Sequence, residues 1–182
     1  MIAYHCDVNL ILAEPFASRK DTHRLLAYYK IMQRLNDNKL IADLQILDNK
    51  ASVEYKRAIK KKWNANYQGV PPNTRRSNAA ERALRTFKAH FLSILAGVDP
   101  DFPGNLWDLL LSQTEVTLNL LRQTTLDPTR SACSYFHGPF NYEATPIVSL
   151  GCDIITNKKT GTRHSWDFRG AAGWYFGVVL QH

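Results

Sequence analysis

The stretch "VPPNTRRSNAAERALRTFKAHF", Val70–Phe91, decides how the rest of the chain is read. Pro71 and Pro72 lack backbone donors and push the residue before them out of helical geometry, so regular structure breaks there. Beyond the break, Ala80, Leu84, Phe87, Phe91 and Ile94 recur at spacings of four and three, the apolar stripe of a helix. Glu81, Arg85 and Lys88 form a second, narrow stripe: at about 100° per residue, Arg85 and Lys88 fall about 40° and 20° to either side of Glu81. Asn78 stands three residues before Glu81, the spacing of a capping box. Glu81 and Arg85 also have the spacing of an i,i+4 ion pair. The same carboxylate, with cations in line behind it, is equally suited to hold a divalent ion while phosphates run away from it. On these residues alone, cap and ligand both stand.

Working outward, "MIAYHCD" and "NLILAEPF" are β-prone runs separated by a turn at Asp7–Asn9, which reads as an antiparallel hairpin. Leu25, Leu26, Tyr29, Met32 and Leu35 mark a helix after Ser18. "ADLQIL" reads as a third strand ending at Asp48, "KASVEYKRAIKKKW" as a short amphipathic helix, and "ANYQGV" as a fourth strand. After the Val70–Phe91 segment, "LWDLLLSQTEVTLNLLRQ" reads as a second long helix, apolar around much of its circumference. Glycine-punctuated short strands then run from about residue 146 to the end. The predicted fold class is α/β, a mixed sheet with helices on its faces followed by a small β unit. The chain starts and stops inside apparent strands, so both ends read as cut.

Composition narrows the function classes. The 182 residues are 45% hydrophobic and 21% charged, as in ordinary globular domains. No apolar run approaches a bilayer span and no secretory leader is legible. Cys6, Cys133 and Cys152 are odd in number and far apart, which reads as reduced thiols and not a disulfide framework or zinc site. The net charge of +7 is concentrated: residues 50–88 hold eleven Lys/Arg against Glu54 and Glu81, a net of +9, leaving −2 elsewhere. Such a block suggests a polyanionic partner, or else a solvated helix face.

These segments, in this order, resemble the integrase region of copia-type LTR retrotransposons, a branch of the DDE-type polynucleotidyl transferases with an RNase H-like core. "MIAYHCDVNLILAEPF" resembles that family's second and third strands, and "LQILDNKAS" the strand bearing its second acid. "VPPNTRRSNAAERALRTFKAHF" resembles the loop and helix bearing its final glutamate. "TLNLLRQTTLDPTRSACSYFHG" is similar to the helix and Asn–x–x–Arg segment after the core. "LGCDIIT" with "GWYFGVVL" resembles the SH3-like module beyond it. The resemblance implies a partial RNase H-like core over 1–125 with its first strand missing, a linker over 126–145, and an SH3-like β module over 146–182. It implies Asp48 and Glu81 as catalytic and metal-binding acids for Mg²⁺ or Mn²⁺. It places DNA contacts at Arg85 and Lys88; Arg75 and Arg76 of the preceding loop are expected to add phosphate contacts, and Asn78 and Arg82 complete the expected DNA-binding set. The complete form would process 3′ ends and transfer DNA strands, as a homo-oligomer, in the nucleus or a cytoplasmic retroelement particle. The family's first aspartate has no counterpart here, because Asp7 falls in a turn. The chain is therefore expected to show little or no catalysis alone, the alternative function being a catalytically dead, DNA-binding remnant of a retroelement polyprotein.

Overall fold

The computed structural model describes residues 1–47, 51–70, 79–162 and 164–178. In chain order the elements are β1 (Ile2–His5), β2 (Leu10–Ala13), α1 (Asp21–Asp37), β3 (Leu44–Leu47), α2 (Val53–Trp63), β4 (Asn66–Gly69), α3 (Ala79–Ala96), α4 (Leu111–Leu120), α5 (Ala132–His137), β5 (Asp153–Asn157) and β6 (Gly170–Trp174). The architecture is mixed α/β. Among the described residues the strands form three two-stranded sheets and not one continuous sheet: β1 with β2 antiparallel, β3 with β4 parallel, and β5 with β6 antiparallel.

The β1–β2 hairpin organises the core because its side chains alternate between two apolar clusters. Leu10 and Leu12, with Val8 of the turn, point to one face and pack with Tyr28, Ile31, Met32 and Leu35 of α1 and with Ala58 and Ile59 of α2. Ile11 and Ala13 point to the other face, against Ala83 and Phe87 of α3 and Leu111 and Leu118 of α4. Ile2 and Tyr4 of β1 join that second cluster. Fully burying each such Leu or Ile contributes about 1.5–3 kcal/mol, so the hairpin is the keel on which both helical layers sit. Asn9 adopts a positive φ of 55° at the turn, a conformation Asn tolerates.

The strand and helix expectations hold for β1 through α2 and for β4. Ser52 caps α2, its side chain accepting from Tyr55 N, and Asn64 ends the helix in left-handed geometry. Four details differ from the sequence reading. Leu26, placed on the apolar face of α1, is 59% exposed. The buried stripe of α3 runs through Ala83 and Phe87, while Leu84 is 49% exposed. Ala83 is small enough to let the helix approach the hairpin, and that closeness selects it over the bulkier Leu84. The expected single helix over "LWDLLLSQTEVTLNLLRQ" divides into a 3₁₀ segment, Gly104–Leu110, and α4. Within the expected strand "GTRHSWDF", Gly161 and Thr162 end a 3₁₀ segment and residues 164–168 form turns, which leaves Trp166 wholly exposed.

The C-terminal hairpin is docked onto the rest. Gln113 of α4, 1% exposed, donates to Val148 O at 3.0 Å and accepts from Val178 N at 3.1 Å. Gly177 makes this approach possible: at φ +128°, a Cβ there would lie 2.7 Å from Gln113 Cβ. Phe102 adds edge contacts to Trp174 and Phe176. No described helix is long and apolar enough to cross a membrane.

Candidate nucleic-acid interface

α3 carries the described part of the candidate interface. Its inner side is fixed by Ala83 and Phe87 against the hairpin, with Phe91 stacked beyond Phe87 at 6.2 Å between ring centroids. His90 also faces inward, its Nε2 lying 2.9 Å from Thr117 Oγ1 of α4. Burial pulls the His90 pKa below its ordinary value, so the ring is neutral at pH 7 and adds no charge to the helix. The outer side carries Arg82, Arg85 and Lys88, all exposed, and Glu81, half-buried in the first turn.

The ion-pair spacing of Glu81 and Arg85 is not used: no salt bridge joins them. Among the described residues, the Glu81 carboxylate and the Arg85 and Lys88 heads have no hydrogen-bond or ion-pair partner. Arg82 does have a contact. The exposed face of α3 thus presents two cations that no group among the described residues answers.

Asp48, Arg75, Arg76 and Asn78 lie outside the described residues. The second acid, the arginines of the connecting segment and the capping asparagine are therefore not placed relative to Glu81. Among the described residues no group of three or more His, Cys, Asp or Glu side chains comes together as a metal site. Glu81 is the one described carboxylate of the expected acid pair. A single carboxylate does not make the oxygen-rich set that Mg²⁺ takes. The described residues alone therefore place one of the two expected oxygen ligands, Glu81.

The basic block, continuous in sequence, is divided in space. α3 lies on the Ile11 face of the hairpin layer, whereas α2 packs into the cluster on the Leu10 face. The α2 lysines are partly engaged with aromatic rings. Lys56 and Lys60 lie 6.0 and 5.3 Å from the Tyr67 ring centroid, and Lys62 lies 4.2 Å from that of Tyr29. Such contacts contribute about 0.5–1 kcal/mol each at exposed sites. The +9 segment therefore offers two cationic surfaces on different layers. Beside α1, an open groove of about 460 Å³ is lined by Phe16, His23, Leu26, Tyr29 and Lys62 among others; it contains no carboxylate and lies apart from Glu81.

Sequence reasoning missed the polar groups that hold α4 to the hairpin. Asn119 accepts from Ile11 N at 3.0 Å and donates to Ile11 O at 2.7 Å, reproducing with its side-chain amide what a neighbouring strand would provide. One turn earlier, Glu115 accepts from Ala13 N at 2.7 Å and pairs with Arg34 of α1. Burial pushes the Glu115 carboxyl above its ordinary pKa more strongly than Arg34 and the Ala13 N–H hold it down. Arg122 completes the set, donating to Asn9 O at 2.8 Å and to the Asn9 side chain. The signal available in sequence was Glu115 and Asn119 at i,i+4 in a helix otherwise apolar on most sides. In the Asn–x–x–Arg segment, Asn119 and Arg122 thus both clasp the hairpin. Comparisons with protein-family models, curated proteins and solved structures found no match.

Proposed function

We propose that this chain is a core fragment of a copia-type LTR retrotransposon integrase, RNase H-like with an SH3-like module after it, and that its own activity is DNA binding. The observation that carries the reading is the outer face of α3, where Arg85 and Lys88 are exposed and without partners among the described residues, in line with Glu81. Their layout suits a phosphate backbone that passes a carboxylate at one end of the helix. The order of elements supports the same reading: hairpin, helix, strand, helix, strand, then a helix bearing a glutamate.

In this reading the complete form holds Mg²⁺ or Mn²⁺ through acids that include Asp48 and Glu81, processes retroelement DNA ends and joins them to target DNA. It does so as a homo-oligomer in the nucleus or a cytoplasmic retroelement particle. The first of that family's acids has no counterpart in the 182 residues. Two acids position a metal and an attacking oxygen poorly, and misplacement by about 1 Å costs on the order of 100-fold in rate. In this reading the 182 residues bind DNA and do not by themselves join ends. The test pairs two measurements on the purified chain: duplex binding by fluorescence anisotropy, and Mg²⁺-dependent joining of a DNA end with a free 3′-hydroxyl. Binding with no joined product is expected. Robust joining, or no binding at low salt, overturns the proposal.

A further inference from the structure

The groove beside α1 combines exposed apolar side chains with cations. His23, Leu26, Lys30 and Gln33 follow one another at spacings of three, four and three, so they form one line along α1. The groove follows the helix over that line, for about 15 Å. Phe16 borders it from the segment that leads out of β2, and Lys62 from the last turn of α2. Leu26 and Phe16 both stay exposed there, although α1 buries Ala27, Ile31 and Leu35 on its inner side.

The polar groups of the groove divide into engaged and free. Lys30 Nζ bonds Glu14 at 2.6 Å, and Gln33 Nε2 donates to Asp37 at 2.8 Å. His23 Nδ1 lies 2.7 Å from Ser18 Oγ, which leaves the other ring nitrogen, Nε2. Lys62 has no carboxylate partner among the described residues. Its ammonium instead lies 4.2 Å from the Tyr29 ring centroid and 5.4 Å from that of Trp63. The two rings hold this long side chain in place before anything binds, which lowers the ordering cost of using it.

We propose that the groove binds a small aromatic anion, with a flat ring against Leu26 and Phe16 and a carboxylate or phosphate on Lys62. Charge fixes the sign of the ligand: the lining holds a cation without a counterpart and no carboxylate, so a cationic ligand is repelled. The volume of about 460 Å³ lies within the range of small-molecule sites, and so does the composition, an apolar lining with a few polar groups. A ring suits the walls because Phe16 offers an aromatic partner and the Lys62 ammonium favours a π face nearby. His23 Nε2 is in reach of a second polar group on the ligand's other end. The proposal does not depend on DNA binding by α3, which packs on the opposite face of the hairpin from α1.

Two sources supply that chemistry, a nucleotide and an aromatic acid. Adenosine 5′-monophosphate and 2-naphthoate are titrated separately into the full chain, with amide shifts followed by NMR. Adenosine and 2-naphthalenemethanol serve as uncharged counterparts. At least one anion should shift Phe16, Leu26 and Tyr29 saturably, and the tighter of the two names the source. Its uncharged counterpart should bind about tenfold more weakly, the effect of one charge-assisted contact. Lys62→Gln should weaken the anion by the same factor, whereas Lys61→Gln, which removes an equal charge outside the groove, should leave it unchanged. No saturable shift with either anion, equal binding of the uncharged counterpart, or equal losses in the two lysine variants overturns the proposal.

Discussion

Replacing Asn119 by Ala removes both partners of the Ile11 backbone without touching the hairpin itself. Asn119 is 2% exposed and Ile11 is fully buried, so water does not substitute for the lost amide. The substitution leaves one buried N–H, formerly bonded at 3.0 Å, and one buried C=O, formerly bonded at 2.7 Å. An unsatisfied buried group costs about 1–3 kcal/mol, so two should cost roughly 2–6 kcal/mol by the same principle. Against the roughly 5–15 kcal/mol that holds a typical domain, that is a large share. Urea denaturation followed by circular dichroism measures it, with Leu121→Ala on the exposed side of the same turn as the control, expected within about 0.5 kcal/mol of the parent. A loss below about 1 kcal/mol for Asn119→Ala, at an unchanged m-value, would refute the idea that the side-chain amide seals the β2 edge.

Glu115 gives a pH signature. Its folded pKa is raised above the ordinary 4.5, so over the interval above that value the folded chain binds more protons than the unfolded one. Its contribution to stability therefore falls as pH rises through that interval. Glu115→Gln should flatten that part of the stability–pH curve, and an unchanged slope in denaturation series at pH 5 and pH 8 would contradict this. Arg34→Met leaves the buried carboxylate without its cation and should destabilise by about 3–5 kcal/mol at neutral pH, read by the same titration. Glu81→Gln should leave stability within about 0.5 kcal/mol and tighten DNA binding by removing a negative charge beside Arg85; weaker binding in the anisotropy assay would count against the α3 surface. Cys133 is buried and its thiol is pushed up to about 11, whereas Cys6 is exposed. A thiol-reactive chromophore at pH 8 should label Cys6 at least 100-fold faster than Cys133, and equal rates would show that the α5 packing is wrong.

The elements most legible in the sequence were those whose signal is local. The β-prone runs "MIAYHCD" and "NLILAEPF" and most of the apolar spacing of α1 are set by residues within one or two turns of each other, and the structure has these elements, although Leu26 of that spacing is exposed. What escaped depends on partners far along the chain. Ile11 meets Asn119 across 108 residues, and Glu115 meets Arg34 across 81. The division of the strands into separate two-stranded sheets was also hidden, because a strand-like pattern reveals which residues extend but not which strands pair. α5 escaped because its six residues are too few for a helical period to stand out, although Ser131 caps it and Ala132, Cys133 and Phe136 are buried. At the candidate interface, the exposure of Arg85 and Lys88 followed from their stripe. Leu84 did not, because the choice of Ala83 for the close contact is made by the hairpin beneath it.

DNA binding through α3 is tested most directly by the salt dependence of duplex affinity for the parent chain and for Arg85→Ala/Lys88→Ala. Each neutralised phosphate contributes a slope of about −0.9 in log affinity against log salt. Removing two contacts should therefore make the slope shallower by about 1.8 units by that same relation, with unfolding unaffected because both side chains are exposed. A parent chain whose affinity does not respond to salt, or a double variant with the parent's slope, would contradict α3 as the DNA-binding surface.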